Sequence, residues 1–359
     1  MTPTCGARRP EFRAFGGVGS GQTDAMAAPN ILFAMMPGLR DYAFSVEQQE
    51  RLAAVGTVLA DGASFSDLTA PEVQEHLAVA DVIVGHWGCP PLTADVLDAA
   101  PRLGLFAYAA GTVKLQVTDA LWQREVRVTS AASANAVPVA EYTLASILFA
   151  NKGVFSFAAR EREPGVRVPL DPMRIGNVGR RVGLVGASHV GRLVIELLRP
   201  FDLTVAVYDP FLSDVEAAEL GVARMELDDL CAWAELLSLH APAIEATRHM
   251  IGAAQIAAMP DGATLVNTSR GSIVDQDALI RELTAGRISA VLDVFEPEPL
   301  PADSPLRTLP NVFLTPHVAG AAGTEMVRLA ELAVEEVERW SRGEPALHPV
   351  VESDMDRIA

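Results

Sequence analysis

Lysine, cysteine and long apolar runs are all scarce in this chain of 359 residues. Lysine occurs only at Lys114 and Lys152, and 46 acidic residues against 28 basic ones give a formal charge of −18. A surface of this sign repels phosphate backbones and anionic lipid, which argues against nucleic acid and membrane as partners. The sequence also has no uninterrupted apolar run of about twenty residues, the length needed to span a bilayer.

The cysteines are three and scattered, at Cys5, Cys89 and Cys231. They show neither a metal-ligand spacing nor a disulfide framework, so we expect no metal site and a reducing, cytoplasmic setting. Residues 1–29 lack the apolar segment of a signal peptide, and we expect a disordered extension there, with Met26 as an alternative start. The polar residues 350–359 are expected to form a loose tail.

Half of the residues are apolar, and the length suffices for two domains with a core each. The first half of the chain alternates short apolar runs with helical patterns, which indicates a parallel sheet with helices on both faces. The expected strands there cover residues 31–36, 57–59, 80–85 and 101–108, and a helix covers 46–55. Ligands bind beyond the carboxyl ends of such strands, so the loops at 85–88 and 109–112 are candidate substrate contacts.

The segment Gly183-Leu-Val-Gly-Ala-Ser-His-Val-Gly191, followed by a second apolar run that ends on Asp209, is the most informative pattern. It indicates a strand, a tight turn and the first turn of a helix. This is the layout of a dinucleotide site, where the pyrophosphate binds N–H groups at the helix start and the acid binds the ribose diol. The candidate cofactor residues are Gly186, Ser188, His189, Val190, Gly191 and Asp209.

Two details of this pattern bear on the cofactor. Ser188 stands where the pattern has its middle glycine, and its hydroxyl can donate to a phosphate oxygen, whereas His189 is expected to point to solvent. Asp209 would repel a 2′-phosphate and no arginine follows it closely, so the pattern favours NAD over NADP.

Later apolar runs extend the same sheet, at residues 203–209, 236–240, 264–268, 290–293 and 312–315. A helical pattern over 134–150 leads into this domain, and another over 321–342 returns to the first. The sequence therefore predicts an α/β protein with two doubly wound parallel-sheet domains. A Rossmann-type NAD domain, residues 133–317, is inserted into a flavodoxin-like substrate domain made of residues 30–132 and 318–349.

Arg270, Glu298 and His317 lie at or just after predicted strand ends, and they supply a cation, a carboxylate and a titratable base. A single residue of any of these types at such a position commonly has a structural role. All three, however, lie where ligands of such a sheet bind. The arginine can hold a substrate carboxylate, the histidine can exchange the hydroxyl proton, and the glutamate can orient the imidazole. This set suits a 2-oxo or 2-hydroxy acid. Glu296 competes with Glu298 for the acid role.

With these residues, the chain resembles the D-isomer-specific 2-hydroxyacid dehydrogenases over roughly residues 75–345. The most specific stretches are residues 239–252, 266–275, 292–299 and 314–320. The resemblance implies catalytic roles for Arg270, Glu298 and His317, with His317 as the acid and base. It also implies an NAD cofactor, a small 2-oxo or 2-hydroxy acid as substrate, and a homodimer.

The same resemblance extends to further residues. Asp293 matches a contact to the nicotinamide carboxamide, and the loop at 109–111, with Ala110 and Gly111, matches a backbone site for the substrate carboxylate. Residues 135–141 match the start of an inter-domain helix close to the cofactor. Candidate cofactor residues within the specific stretches are His240, for which a structural role is favoured, Thr247 and Thr268.

The chain departs from the family pattern at Ser188, at residues 286–293, which are one residue shorter, and at Lys114, which either extends an anion site or is a surface lysine. Trp87, beside His86 on a predicted substrate-side loop, either contacts substrate or packs between domains.

Short-chain reductases need a Tyr-x-x-x-Lys pair that this sequence does not have. The alternative from another functional class is an NAD-sensing binding or regulatory protein on the same scaffold. Retention of all three chemical residues counts against this alternative.

Overall fold

The structure is a computed structural model and describes residues 28–161, 175–355, 357 and 358. Apart from residues 28 and 29, the predicted N-terminal extension lies outside the described residues. The strands are β1 (Asn30–Ala34), β2 (Thr57–Val58), β3 (Ser64–Phe65), β4 (Val82–Gly85), β5 (Leu105–Tyr108), β6 (Arg127–Ser130), β7 (Arg181–Val185), β8 (Thr204–Tyr208), β9 (Ala223–Arg224), β10 (Leu236–Leu239), β11 (Thr264–Asn267), β12 (Ser289–Leu292), β13 (Val312–Leu314) and β14 (Pro349–Val350).

The helices lie between most of these strands. They are α1 (Leu39–Ala43), α2 (Val46–Val55), α3 (Pro71–Leu77), α4 (Ala94–Ala99), α5 (Asp119–Gln123), α6 (Ala132–Asn151), α7 (Val154–Glu161), α8 (His189–Leu198), α9 (Asp214–Leu220), α10 (Leu227–Trp233), α11 (Ala253–Ala258), α12 (Gln276–Thr284) and α13 (Met326–Ser341). Among the described residues, no helix combines the length and the apolar character needed to cross a bilayer.

The first sheet has the strand order β14-β6-β5-β4-β1-β2, with β3 also paired to β1. Every pairing is parallel except that of β14 with β6. When β2 and β3 are counted as one position and β14 is set aside, the order is 2-1-3-4-5 along the chain. This is the flavodoxin-like order that the sequence predicted.

The second sheet has the order β13-β12-β11-β10-β7-β8-β9, and all its pairings are parallel. Counted from β7, this is the Rossmann order 3-2-1-4-5-6 with one strand added at the end. The order reverses between β7 and β10, so the loops that follow these two strands form the crevice where ligands of such sheets bind.

Both sheets are covered by helices on both faces, so the prediction of two doubly wound domains is confirmed. In the first sheet, Phe106 lies in the core of one face and Phe33 in the core of the other. Helix α13 closes the face of Phe33, and α6 packs on the second sheet, where Ile147 shares a core with Val182. The chain therefore leaves the first sheet through α6 and returns through α13. The residue limits of the domains stay a prediction.

The prediction of a loose tail over residues 350–359 is wrong for most of that segment. Strand β14 pairs with β6, and Met355 and Ile358 pack against the core of the first sheet. The cause is a long-range contact: Glu336, which is buried on α13, accepts hydrogen bonds from the backbone N–H groups of Leu347 and His348 at 2.8 and 2.6 Å. These bonds hold the end of the chain against the sheet.

The helix predicted over residues 321–342 begins later, at Met326. Residues 323–325 form a 3₁₀ turn, and the N–H of Ala321 is bonded to the side-chain oxygen of Asn135, outside any helix. Strands β3, β6, β9 and β14 were not predicted, and three of them have only two residues.

Candidate active site

The turn after β7 is held tight by two glycines. Gly186 has φ +103°, and a Cβ added there would lie 2.7 Å from the amide nitrogen of Ala241. A Cβ on Gly191 would lie 2.1 Å from the carbonyl oxygen of Gly186. The start of α8 therefore packs directly on the end of β7, which no larger residue at either position would allow.

Ser188 caps α8 rather than offering its hydroxyl to a ligand. Its Oγ accepts from the N–H of Gly191 at 3.4 Å and donates to the carbonyl oxygen of His240 at 2.8 Å. A hydroxyl has one hydrogen to donate, so the expected side-chain bond from Ser188 to a phosphate oxygen is not available in this structure. His189 is exposed, as expected, and the side chain of Val190 packs against the core of the second sheet. What this turn offers a ligand is the backbone N–H groups at the start of α8.

Asp209 lies beside this turn. Its carboxylate accepts from the N–H of Ala187 at 2.7 Å and from that of Phe211 at 2.8 Å. The glycine turn, the helix start and the acid at the end of β8 thus form one continuous surface. These residues fit a dinucleotide, because the two glycines bring main-chain donors close together and the carboxylate can accept from a ribose diol.

His240 does not present its side chain to a cofactor. It is buried, its Nε2 lies 3.0 Å from the Ser238 hydroxyl, and burial lowers its pKa to about 3. The ring is therefore neutral at physiological pH. The part of His240 that reaches the glycine turn is its carbonyl group, through the bond from Ser188. The structural role that the sequence favoured fits this placement better than a cofactor contact.

Thr247 and Thr268, both candidate cofactor residues, use their hydroxyls within the protein. Thr247 Oγ1 donates to the carbonyl oxygen of Pro242 and accepts from the N–H of Ile244 at 3.1 Å. Thr268 is buried, and its Oγ1 lies 3.0 Å from that of Thr143 on α6. The first bond shapes the loop after β10, and the second ties the loop after β11 to α6. Cofactor contacts of Thr247 and Thr268 stay predictions.

Arg270 lies in the loop after β11, and a close approach of two loops sets its position. A Cβ on Gly271 would fall 2.0 Å from the carbonyl carbon of Phe295, so this loop packs directly on the loop after β12. Asn267, which sequence reasoning missed, donates from Nδ2 to the Arg270 carbonyl oxygen at 2.9 Å. Asparagine at a strand end commonly makes such local bonds to the main chain.

The guanidinium of Arg270 is available to an anion. Its one hydrogen bond runs from Nη1 to the carbonyl oxygen of Ser269 at 2.7 Å, and no carboxylate of the described residues forms an ion pair with it. Burial lowers the pKa of Arg270, while the negative charge of Glu298 opposes that shift. Glu298 is therefore close enough for its charge to act on the arginine.

Glu298 also bonds His317, with Oε1 2.7 Å from Nδ1. Its competitor Glu296 instead pairs with Arg248 at 2.9 Å and with His249 at 3.3 Å. The geometry therefore favours Glu298 as the partner of the histidine, and it brings Arg270, Glu298 and His317 together at the carboxyl ends of β11, β12 and β13.

Asp293 holds the loop that carries His317. Its carbonyl oxygen accepts from the N–H of His317, and its carboxylate oxygens accept from those of Val318 and Ala319, each at 2.9 Å. This clamp maintains His317 at φ +56°, a left-handed conformation that side chains other than glycine adopt rarely. Asp293 is fully buried, and its contact to the nicotinamide, which the resemblance implied, stays a prediction.

A second support of Asp293 was not visible in the sequence. Thr315 donates from Oγ1 to Oδ1 of Asp293 at 2.6 Å, and the hydroxyl of Tyr142 on α6 lies 2.6 Å from the same Oγ1. Because the threonine hydrogen goes to the carboxylate, Tyr142 is the donor to Thr315. Burial raises the pKa of Tyr142, which keeps this donor protonated.

On the first sheet, Ala110 is buried, and Gly111 follows it in the loop after β5. The Ser130 hydroxyl donates to the carbonyl oxygen of Gly111 at 2.9 Å and so fixes this loop. Nearby, Nζ of Lys114 donates to the carbonyl oxygen of Ala243, in the loop after β10, at 3.4 Å. Lys114 thus joins a loop of the first sheet to one of the second, and both sequence alternatives for it stay predictions.

Trp87 is 38 % exposed, and its ring packs edge-on against the ring of His86 at 4.8 Å. His86 is fully buried, with Nδ1 accepting from the N–H of Trp87 at 2.7 Å. Because one edge of Trp87 is exposed, a contact with substrate and packing between the domains both stay predictions for this residue.

Proteins of known family resemble this chain in sequence and in fold. Residues 144–319 match the family described as D-isomer specific 2-hydroxyacid dehydrogenase, NAD binding domain. A glyoxylate reductase of Korarchaeum cryptofilum is 37 % identical over 259 residues, which cover 71 % of this chain and 78 % of that protein. A D-3-phosphoglycerate dehydrogenase of Methanocaldococcus jannaschii is 32 % identical over 284 residues, or 78 % of this chain, and the match spans only 53 % of its length.

Among solved structures, the apo form of D-mandelate dehydrogenase from Rhodotorula graminis is similar, with a TM-score of 0.76 and 25 % identity. The match covers 91 % of this chain and 98 % of that one, so it includes both sheets.

Proposed function

The chain belongs to the family of D-isomer specific 2-hydroxyacid dehydrogenases, and from that premise we propose that it interconverts a small 2-oxo acid and a D-2-hydroxy acid, with His317 as the acid and base. It is an NAD-dependent oxidoreductase, and the resemblance inferred from its motifs is confirmed. The observation that supports the proposed mechanism most directly is the 2.7 Å bond between His317 and Glu298, with Arg270 in the field of the same carboxylate.

The cofactor is NAD, and its pyrophosphate and ribose would be held by the Gly186–Gly191 turn and by Asp209. When bound, the nicotinamide supplies or accepts the hydride. The protein's own contribution is to hold the substrate, to handle one proton and to exclude water.

Arg270 would bind the substrate carboxylate. A guanidinium offers two parallel donors that match the two carboxylate oxygens, and partial burial strengthens that interaction because less water competes for it. The same cation next to the substrate polarises the 2-oxo group toward reduction.

His317 would move the proton at Nε2. Its Nδ1 is bonded to Glu298, so Nε2 is the nitrogen that remains for the substrate. Glu298 accepts the Nδ1–H and thereby fixes both the tautomer and the orientation of the ring. In reduction, protonated His317 donates from Nε2 to the carbonyl oxygen, and in oxidation neutral His317 accepts the hydroxyl proton at the same atom.

The substrate class rests on the family and on the names of the relatives, which act on glyoxylate, D-3-phosphoglycerate and D-mandelate by their descriptions. These acids share a carboxylate next to the reacting carbon and differ beyond it. We therefore propose a small 2-oxo acid, with the loops at 85–88 and 109–114 deciding what the rest of the molecule is.

The alternative of an NAD-sensing regulatory protein is not favoured, since the chain combines the family's cofactor domain with a complete set of chemical residues. A homodimer and a cytoplasmic location stay predictions from the sequence.

Activity of the His317→Ala variant tests the mechanism. We expect kcat for NADH oxidation by glyoxylate or another 2-oxo acid to fall by about a hundredfold or more, the scale of a lost general acid. The affinity for NADH should be unchanged, because the glycine turn follows β7 whereas His317 follows β13, four strands away in the second sheet.

The matched control is His249→Ala, which removes an exposed histidine that also bonds a glutamate, Glu296. This variant should keep the wild-type rate. Near-normal turnover by His317→Ala would remove His317 from the proton transfer.

A further inference from the structure

Arg192, near the start of α8, approaches the acid that follows β8. Its Nε donates to the carbonyl oxygen of Ala187 at 3.0 Å, and the N–H of the same Ala187 donates to Asp209 at 2.7 Å. The main-chain nitrogen and oxygen of one residue are less than about 4 Å apart, so the guanidinium and the carboxylate lie within about 10 Å of each other. The sequence has no arginine soon after Asp209, but the fold supplies one from the preceding helix.

Glu216, on α9, is the ion-pair partner of this arginine. Its Oε1 accepts from Nη2 of Arg192 at 3.1 Å, while its Oε2 accepts from the N–H and the hydroxyl of Ser213 at 3.0 and 2.8 Å. The hydrogen bonds from Ser213, together with that from Arg192, lower the pKa of Glu216, so the carboxylate is charged at neutral pH. The side chains of Arg192 and Glu216 are 43 and 42 % exposed, so a ligand can reach the pair.

The surface beside Asp209 is where the ribose of the cofactor's adenosine would bind, since the carboxylate can accept from a ribose diol. NADP differs from NAD by a phosphate on the 2′-oxygen of this ribose, and a guanidinium binds phosphate through two parallel donors. Nη2 of Arg192 is already bonded to Glu216, whereas Nη1 makes no hydrogen bond to a described residue. A 2′-phosphate would therefore have to displace Glu216 to obtain both donors.

We propose that Arg192 is a phosphate-binding residue masked by Glu216, so that Asp209 and Glu216 together make the site select NAD over NADP. The inference rests on the proposed placement of the cofactor at the Gly186–Gly191 turn and Asp209, and it does not depend on the reaction. Asp209 repels the 2′-phosphate by its own charge. Glu216 acts through Arg192, because it neutralises that cation and occupies one of its donors. Without this partner, the same surface would bind NADPH better.

Glu216→Gln tests the masking, because the side-chain oxygen of glutamine can keep the bonds from Ser213 while its NH2 group faces Arg192. The guanidinium then loses its acceptor but stays anchored through Nε to Ala187. We expect the ratio of Kd for NADPH to Kd for NADH, from fluorescence titrations, to fall about 10- to 100-fold, the range for one gained hydrogen bond between charged groups. The repulsion from Asp209 is the same in both proteins and cancels in this comparison.

Arg192→Ala in the Glu216→Gln background should return the ratio to its wild-type value, since the cation itself is gone. The matched control is Asp214→Asn on the same helix, which removes the partner of another arginine, Arg224, whose Nη1 lies 3.1 Å from Asp214 Oδ1. That variant should leave the ratio unchanged. If the pair between Arg192 and Glu216 only ties α8 to α9, Glu216→Gln should lower the midpoint of thermal unfolding without changing the ratio.

Calorimetric titrations with adenosine 2′,5′-bisphosphate and with AMP assign the effect to the 2′-phosphate. Glu216→Gln should bind the bisphosphate about 10-fold or more tightly than the wild type does, and AMP equally. Both measurements stay possible if the wild type reduces no 2-oxo acid and the proposed reaction fails.

A ratio within about threefold of the wild-type value in folded Glu216→Gln would overturn the inference, as would a fall that persists when Arg192 is absent. A wild type that binds no NADH would overturn the inference together with the proposed cofactor site.

Discussion

Replacing Gly191 by alanine would separate the start of α8 from the end of β7. The added Cβ would lie 2.1 Å from the Gly186 carbonyl oxygen, where ordinary contact begins near 3.4 Å, and that oxygen is main chain and cannot rotate away. The helix start must therefore withdraw by more than an ångström. Overpacking of this kind costs about 1–3 kcal/mol of stability. A hydrogen bond to a charged group is worth about 1.5–3 kcal/mol, so losing one to the pyrophosphate weakens NADH binding about 10- to 100-fold.

A fluorescence titration with NADH measures this loss of affinity, and thermal unfolding shows that the variant remains folded. The control is Gly252→Ala, at the N-cap of α11, where φ is −90° and the nearest atom to the new Cβ lies 3.3 Å away. It should bind NADH as the wild type does. If folded Gly191→Ala binds NADH within threefold of the wild type, the close approach of α8 is not what makes this turn a dinucleotide site.

Two further predictions concern stability. Burial lowers the pKa of His86 from 6.5 to about 4 and that of His240 from 6.5 to about 3. As the pH falls below about 6.5, these histidines therefore take up protons in the unfolded chain but not in the folded chain. The free energy of unfolding should therefore decrease on acidification toward pH 4, by about 3 kcal/mol for His86 alone. Urea unfolding across this range should show a shallower decrease for His86→Asn, and equal slopes would contradict the assignment. Glu336→Ala should lower the free energy of unfolding by about 2 kcal/mol because two main-chain donors, of Leu347 and His348, lose their acceptor, whereas Glu336→Gln keeps an accepting oxygen. Equal urea midpoints for these two variants would show that the tail does not depend on this contact.

Most strands of both sheets could be predicted because they are buried on two faces and therefore appear as short apolar runs. All four residues of β10, for example, are buried. Of the two-residue strands, β3, β9 and β14 were not predicted, since two residues carry no periodicity, whereas β2 falls within the apolar run at 57–59. Both residues of β9 are exposed, and β14 exists because β6 offers it an edge. The loose tail was wrong for the same reason, because the acceptor that fixes it lies on α13.

The sequence located Arg270, Glu298 and His317 at neighbouring strand ends because parallel topology brings those ends to one edge of the sheet. Their catalytic roles stay predictions. What the sequence could not show is where a polar side chain directs its bonds. The carboxylate of Asp293 and the hydroxyl of Thr268 have the right chemistry for a cofactor, but the folded chain gives them partners of its own on α6 and on the His317 loop.

The place of α13 in the chain has a consequence for biosynthesis. The face of the first sheet that contains Ile31 and Phe33 is closed by Ala330 and Val334 of this helix, which a ribosome makes only after the whole second sheet. The nascent chain therefore completes its second domain while the first still exposes an apolar surface, and such surfaces are prone to aggregation and chaperone capture. The domain that is translated first is the last to finish folding.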